Sequence, residues 1–187
     1  MNKIYLCRHG QDEDNAAGIL NGRRDMPLTE LGRTQAKETA QKLKESGIEI
    51  VYASPLKRAY ETARIIADTL KIDEVILDEH LVERDFGILT GKPIADIKKY
   101  SKSTLETDYG TTYFLDSSGG EDFPTVYERA HTFLKEVEKR HSNKNILMVC
   151  HGDIGKMICA IRSNLGWEDG LKKFHILNAG FVELSNL

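Results

Sequence analysis

Short apolar runs alternate along this chain with longer segments in which apolar residues recur at helical spacing. The short runs predict buried strands, and the longer segments predict amphipathic helices. Strands that alternate with helices predict an α/β fold of three layers, α/β/α, in which helices flank a mostly parallel sheet. The predicted strands are 3–7, 48–54, 74–77 and 145–150. The predicted helices are 29–46, 54–70 (starting at Ser54-Pro55), 93–101, 123–137 and the segment after His151-Gly152. We expect a pair of strands, 172–177 and 180–185, to close the sheet.

Residues 83–122 interrupt this alternation with five glycines and one proline. A stretch of about forty residues buries too little apolar surface to form a core of its own. We therefore expect a short cap insertion (about 83–122) within one domain that spans 1–187. Tyr109, Tyr113 and Phe114 are candidates for lining this cap.

The composition narrows the classes of function. The chain has 187 residues, of which 40% are apolar and 29% charged, as is typical of one globular domain. A formal net charge of -3 gives no reason to expect a nucleic-acid partner. No apolar run is long enough to span a membrane, and the N-terminus lacks the pattern of a signal peptide. Three cysteines without metal-type spacing argue against disulfides and zinc, so we predict a cytoplasmic protein.

Two predicted strands end in the same way, with a histidine followed by a glycine. The first ends in RHG at 8–10, and the strand at 145–150 is followed by HG at 151–152. The carboxyl ends of neighbouring parallel strands meet at one edge of a sheet, where helix N-termini favour anions. Arg58, in the first turn after the second strand, joins them if these strands are neighbours. Each motif alone is more often structural or solvated, but together they predict two histidines and two arginines around one phosphate-like anion.

Six segments, taken in chain order, carry a resemblance to a known family. They are RHG with Asn15 (8–15), DMPLTELGRTQA (25–36), ASPLKRAYETA (53–63), LVERDFGILTG (81–91), SGGEDFPTVYERA (118–130) and CHGDIGK (150–156). As a set they resemble the histidine phosphatase superfamily, which includes cofactor-dependent phosphoglycerate mutases and many small phosphatases. The resemblance covers nearly the whole chain.

The resemblance implies a metal-independent phosphomonoester hydrolase that acts on a small phosphorylated metabolite without a cofactor. It implies phosphoryl transfer through a phosphohistidine on His9, with Glu83 as general acid and then general base. Arg8, Arg58 and His151 are expected to stabilise the charge of the transition state. The expected catalytic residues are His9, Glu83, His151, Arg8 and Arg58, and the expected substrate- or phosphate-binding residues are Arg8, Asn15, Gly22, Arg58 and His151.

Two other functions stay open from the sequence. A cofactor-dependent phosphoglycerate mutase needs an enclosed, strongly cationic site, whereas residues 92–122 contain lysines but no arginine, which favours a phosphatase. A non-catalytic phosphate sensor has no need of an acid such as Glu83. The expected partner is a small phosphorylated substrate, with no nucleic acid, no membrane and no metal, and a homodimer stays open.

The loop after RHG departs from the family pattern. Gln11 stands where the family commonly has glutamate, and the acidic run 12–14 is unusual beside a phosphate pocket. The run predicts a solvated loop, or else repulsion of polyanionic substrates. Arg23 and Arg24 are candidates to offset its charge.

The positions of Arg84 and of two cysteines also lead to predictions. Arg84 follows Glu83 directly, and its side chain is expected to point away, because a nearby cation would lower the pKa of the carboxyl group. Cys7 and Cys150 precede the two histidines and are expected to be small buried apolar residues, side by side in adjacent strands. A redox switch is the second interpretation of this pair.

Overall fold

The computed structural model of the chain describes residues 3–187, so the first two residues of the predicted domain lie outside it. Strands and helices alternate over most of this range, as the hydrophobic pattern predicts. Within the range the strands are β1 (Ile4–Arg8), β2 (Ile50–Ala53), β3 (Val75–Leu77), β4 (Thr104–Glu106), β5 (Thr112–Phe114), β6 (Ile146–Cys150) and β7 (Phe181–Glu183), and the α-helices are α1 (Glu13–Ala17), α2 (Glu30–Lys42), α3 (Lys57–Leu70), α4 (Ile97–Tyr100), α5 (Phe123–Arg140), α6 (Gly152–Arg162) and α7 (Trp167–Lys173).

The main sheet has the strand order β3-β2-β6-β1-β7, and β4 with β5 forms a separate two-stranded sheet. Neighbours in the main sheet are parallel, except that β7 runs antiparallel to β1. Successive residues of a strand point to opposite faces, and in β1 Leu6 belongs to one apolar cluster while Cys7 belongs to the other. The larger cluster holds the buried residues of α5 and α6, and the second holds those of α2 and α3. The predicted α/β class with helices on both faces of a mostly parallel sheet is confirmed.

The longest helix, α5, follows from local sequence signals. Asp122 caps it by accepting a hydrogen bond from the backbone N–H of Thr125 at 2.8 Å, and Pro124 follows in the first turn. Its buried residues recur at helical spacing, from Phe123 to Val137. None of the helices in residues 3–187, α5 included, is both long and apolar enough to cross a membrane.

Two predicted helix boundaries are wrong. Helix α3 begins at Lys57 and not at Ser54-Pro55, because the Ser54 hydroxyl accepts a hydrogen bond from the N–H of Leu56 before the helix starts, at 3.3 Å. Helix α2 ends at Lys42, four residues before the predicted end, and a turn follows it. The pattern also does not predict α1 or the β4-β5 hairpin, since both are very short.

The predicted strand at 172–177 is also wrong. Lys172 and Lys173 belong to the last turn of α7, and no strand follows them before β7. Phe174 and Ile176 are both buried, which explains the alternation that resembles a strand. Because β6 and β7 occupy the two edges of β1, no ladder position remains beside it for this segment.

The two cysteines before the histidines are buried but do not face each other. Arg8 pairs with Cys150 across the β1-β6 ladder, so Cys7 and Cys150 differ by one residue in register and point to opposite faces. Burial raises the pKa of the Cys7 thiol to about 12 and raises that of Cys150 well above its usual value. The expected side-by-side placement is wrong, and the redox interpretation loses its geometric basis.

Two glycines let the loop after β1 lie directly against the start of α2. A Cβ on Gly10 would lie 2.4 Å from the carbonyl oxygen of Gly32, and a Cβ on Gly32 would lie 2.1 Å from the carbonyl oxygen of Gln11. Thr29 caps α2 and also donates its hydroxyl to Oε1 of Gln11, at 2.9 Å. This contact fixes the loop that carries His9.

Replacing Gly32 with alanine should destabilise the protein, although glycine-to-alanine changes inside helices usually stabilise by up to about 1 kcal/mol. The added methyl would collide with backbone, so we expect the free energy of unfolding to fall by about 1–3 kcal/mol. Urea denaturation measures it. The control is Gly155→Ala in α6, whose Cβ meets nothing closer than 3.4 Å. An equal or higher midpoint for Gly32→Ala would contradict the close approach.

Candidate active site

The carboxyl ends of β1, β6 and β2 lie side by side, because β6 sits between the other two strands. His9 follows β1, His151 follows β6, and Arg58 lies in the first turn of α3, directly after β2. The imidazole rings of the two histidines have centroids 5.0 Å apart, and both rings and Arg58 are buried. The fold therefore brings together residues that are far apart in the sequence.

The ring of His9 is held in one tautomer. Its Nδ1 lies 2.7 Å from the carbonyl oxygen of Gly10. Because a carbonyl oxygen only accepts, Nδ1 carries the proton and Nε2 keeps a free lone pair. Burial lowers the pKa of His9 well below its usual value, and the charges of Arg58 and Arg8 lower it further. The ring is therefore neutral at neutral pH, the form in which an imidazole can act as a nucleophile.

The guanidinium group of Arg58 connects three loops. Its Nη1 donates to the carbonyl of Arg24 at 2.6 Å, and its Nη2 donates to the carbonyl of Gly22 at 2.7 Å. Its Nε donates to Nδ1 of His151 at 3.1 Å and lies 3.2 Å from Oδ2 of Asp12. One N–H on each terminal nitrogen is left for a ligand. The carbonyl of Gly22 thus positions Arg58, while its own contact with phosphate stays a prediction.

His151 is held through both ring nitrogens. Since Arg58 donates to Nδ1, the proton of the neutral ring sits on Nε2, which lies 2.8 Å from Oγ of Ser54. Burial, followed by the charges of Arg58 and His9, lowers the pKa of His151 well below its usual value. A neutral ring with one N–H donor results.

The carboxyl group of Glu83 lies at the N-terminus of α6. It accepts hydrogen bonds from the backbone N–H groups of Arg84 at 2.9 Å, Asp153 at 3.1 Å and Ile154 at 3.2 Å. These bonds favour the ionised form, but burial and the nearby charge of Asp153 act more strongly and raise the pKa of Glu83. A buried carboxyl group of this kind can hold a proton for a leaving group.

The side chain of Arg84 points away from Glu83, as expected. Its Nε donates to Oδ2 of Asp153 at 2.8 Å. Its guanidinium carbon lies 4.0 Å from the ring centroid of Phe114 and 4.2 Å from that of Phe123. Arg84 therefore neutralises Asp153 and packs against aromatic rings of the cap and of α5.

A cavity of about 230 Å³ opens beside Glu83, while the buried side chains of His9, Arg58 and His151 do not line it. Arg8, Asn15 and Glu83 line it. Arg8 donates from Nη1 to the carbonyl of Ile176 at 3.0 Å, and its buried Nε has no hydrogen-bond partner in residues 3–187. Asn178 donates to Oδ1 of Asn15 at 2.8 Å, which leaves the amide N–H groups of Asn15 available.

The segment 83–122 lies over this cavity, as a cap. Apart from Glu83 and Arg84, its side chains that line the cavity are apolar or carry hydroxyl groups, and the predicted residues Tyr113 and Phe114 are among them. The third predicted residue, Tyr109, does not line the cavity. Its hydroxyl group donates to the carbonyl of Leu171, and its ring packs at 4.5 Å from that of His175.

The acidic run after RHG is not a solvated loop. Asp12 is fully buried: it caps α1 through the N–H of Asn15 at 2.7 Å, accepts from Nδ2 of Asn21 at 2.6 Å and forms an ion pair with Arg58. Asp14 is also buried. The solvated interpretation is wrong for these two residues and holds only for the exposed Glu13.

Of the two arginines predicted to offset the charge of the acidic run, one pairs with it. Nε of Arg24 lies 2.8 Å from Oδ2 of Asp14. Arg23 instead pairs with Glu121 at 2.8 Å and donates to the carbonyl of Glu83 at 3.2 Å. The loop charge is therefore matched locally.

Sequence reasoning missed three residues at this site. The sequence places Ser54 at the start of a predicted helix, and no local pattern indicates its contact with His151. Asp12 had a signal, since an aspartate at the start of a short helix is a frequent cap. Lys156 lies among apolar residues and a glycine between Ile154 and Ile161 of α6, and it lines the cavity. Across residues 3–187, no three or more His, Cys, Asp or Glu side chains are grouped to hold a metal ion.

Comparison with known proteins decides the family. The family profile described as "Histidine phosphatase superfamily (branch 1)" matches residues 4–186. The chain belongs to this superfamily. It is 35% identical to phosphoserine phosphatase 1 of Hydrogenobacter thermophilus over 162 residues, which is 86% of the chain and 76% of that relative. It is 34% identical to phosphoglycerate mutase-like protein 4 of Arabidopsis thaliana over 154 residues, 81% of the chain and 67% of that relative.

A solved histidine phosphatase supports the same assignment. The phosphoserine phosphatase of Entamoeba histolytica, solved in complex with 3-phosphoglyceric acid, has a TM-score of 0.79 and 32% sequence identity to the chain. The match covers 97% of this chain and 89% of that one. Superfamily membership and these relatives identify the chain as a phosphomonoester hydrolase.

Proposed function

We propose that this phosphatase hydrolyses a small phosphomonoester through a phosphohistidine on Nε2 of His9. The observation that carries the proposal is the tautomer of His9. The carbonyl of Gly10 holds the proton on Nδ1, so Nε2 is free in a buried site that also holds Arg58 and His151.

In the first step Nε2 of His9 attacks phosphorus, and the bond between phosphorus and the ester oxygen breaks. The leaving oxygen takes a proton from Glu83, whose pKa is raised by burial and by the nearby charge of Asp153, which favours the protonated form. In the second step Glu83 accepts a proton from water, and the resulting oxygen attacks phosphorus. The P–N bond breaks, inorganic phosphate leaves, and both residues return to their initial state.

Fixed donors replace bulk water around the phosphoryl group. Arg8 and Arg58 keep N–H groups free, and His151 would donate the N–H of its Nε2 in exchange for its present contact with Oγ of Ser54. They would stabilise the negative charge that spreads over the equatorial oxygens, as a metal ion does in other phosphoryl-transfer enzymes. Asn15 and the N–H of Gly22 would add neutral donors. We propose that these groups make a metal ion unnecessary.

The cap favours hydrolysis over the mutase reaction. Lys98 pairs with Glu106, Lys99 pairs with Asp96, and neither side chain lines the catalytic cavity. None of the cap lysines lines the cavity, and Arg84, the cap cation that does, is paired with Asp153 at 2.8 Å, so the cap offers no free cation of the kind that would retain a doubly phosphorylated intermediate. A phosphate sensor is disfavoured because a buried acid beside the nucleophile has no role in binding alone.

Replacing His9 with alanine should lower the activity on p-nitrophenyl phosphate at least about 10³-fold, because it removes the ring nitrogen that attacks phosphorus. The wild-type rate should be unchanged by an excess of EDTA. Phosphate release is the measurement. A wild-type protein no faster than His9→Ala would favour a sensor. Isomerisation of 3-phosphoglycerate with trace 2,3-bisphosphoglycerate, instead of phosphate release, would favour a mutase.

Replacing Glu83 with glutamine should slow the hydrolysis of alkyl phosphates by about 100-fold or more, since an alkoxide needs a proton to leave. The loss with p-nitrophenyl phosphate should be much smaller, because p-nitrophenolate leaves unprotonated. Wild-type activity on alkyl phosphates should fall as pH rises through the raised pKa of Glu83, and the variant should lack this decline. The control is Glu79→Gln, an exposed neighbour. Equal losses on both substrates would contradict the acid role.

A further inference from the structure

Lys156 is a buried cation that the proposed phosphoryl transfer does not use. Its residue exposure is 4%, and from the second turn of α6 it lines the cavity that Glu83 and Arg8 also line. Its ammonium group makes one hydrogen bond within residues 3–187, to the carbonyl of Gly152 at 3.4 Å, and lies 5.2 Å from the ring centroid of Tyr113. A buried ammonium held this weakly is costly unless something else pairs with it.

The neighbouring carboxyl groups are already engaged. Asp153 forms its ion pair with Arg84 at 2.8 Å. Glu83 accepts three backbone hydrogen bonds and sits where a protonated acid is needed. No carboxylate in residues 3–187 forms an ion pair with Lys156, so its charge stays available to a ligand in the cavity.

Three functional groups surround the position that a Cβ on residue 152 would occupy. A Cβ built there would lie 3.9 Å from Nζ of Lys156, 3.9 Å from Nε of Arg8 and 3.5 Å from Oε2 of Glu83. Nε of Arg8 is buried and has no partner of its own among residues 3–187. The cation therefore lies next to the acid that protonates the leaving oxygen, on the side where the alcohol part of the substrate must sit.

We propose that Lys156 binds a carboxylate carried by the alcohol part of the substrate, so that the preferred substrates are phosphorylated hydroxy acids. This inference rests on the proposed function. A chain of about two or three carbons spans the short distance between the leaving oxygen at Glu83 and the ammonium group. A cavity of about 230 Å³ with one available lysine suits a carboxylate better than a second phosphate.

The test compares two phosphomonoesters that differ only in the group that Lys156 would bind. 3-Phosphoglycerate carries a carboxylate where glycerol 3-phosphate carries a hydroxymethyl group. For the wild type we expect a higher kcat/KM with 3-phosphoglycerate, mainly through a lower KM. In Lys156→Met the ratio of the two kcat/KM values should fall by about 10- to 100-fold, the effect of losing one charge-assisted hydrogen bond.

The ratio separates recognition from a general loss of activity. Lys156→Arg, which keeps the charge, should retain most of the preference. Lys139→Met, an exposed lysine of α5, should leave both values unchanged. An unchanged ratio in a Lys156→Met protein that still turns over glycerol 3-phosphate would overturn the proposal. Equal losses on both substrates would also overturn it, because Lys156 would then act on the phosphoryl group.

Failure of the proposed phosphatase function gives a different result from failure of the carboxylate site. The wild-type protein would then release phosphate from neither ester nor from p-nitrophenyl phosphate. The carboxylate site can still be tested then, by the shift in melting temperature that 3-phosphoglycerate and glycerol 3-phosphate cause in the wild type and in Lys156→Met. A larger shift with 3-phosphoglycerate that disappears in the variant supports the site, and equal shifts in the wild type overturn it.

Discussion

A fully buried guanidinium group, that of Arg58, is the constraint on which the rest of this site depends. It forms an ion pair with Asp12, holds the loop of Gly22 and Arg24 through their carbonyl oxygens, and fixes the tautomer of His151. A charge buried to this extent is tolerated only when its partners are in place. The chain beyond β1 must therefore close over α3, at the edge of the sheet where the pairing of β1 with β6 places His9 beside His151.

The charged groups around the site come from particular elements of the fold. The cations near the reacting group are Arg8 at the end of β1, Arg58 in α3 and Lys156 in α6, whereas Lys98 and Lys99 of the cap pair with acids on the cap itself. The N-terminus of α6 holds Glu83 through backbone N–H groups and presents Lys156 one turn later. The same helix thus positions Glu83, which protonates the leaving oxygen, and Lys156, which binds the carboxylate of the leaving alcohol.

Regular elements and their order could be predicted from the sequence, because buried strands and amphipathic helices leave a strong periodic pattern. The convergence of His9, His151 and Arg58 followed from strand ends alone. The burial of Asp12 did not, since an acidic run has the same pattern whether it is solvated or paired with a distant arginine. The segment at 172–177 was misread because the buried Phe174 and Ile176 alternate as in a strand, while β1 has no free edge.

The central claim is that one phosphoryl group is held between the two imidazoles and transferred to Nε2 of His9. The most direct measurement is a crystal structure of the full chain with orthovanadate, which mimics the transition state. The account predicts vanadium bonded to Nε2 of His9, with Arg8, Arg58 and His151 donating to its oxygens. Vanadium bonded to Ser54 or to a cysteine, or bound away from both histidines, would contradict it.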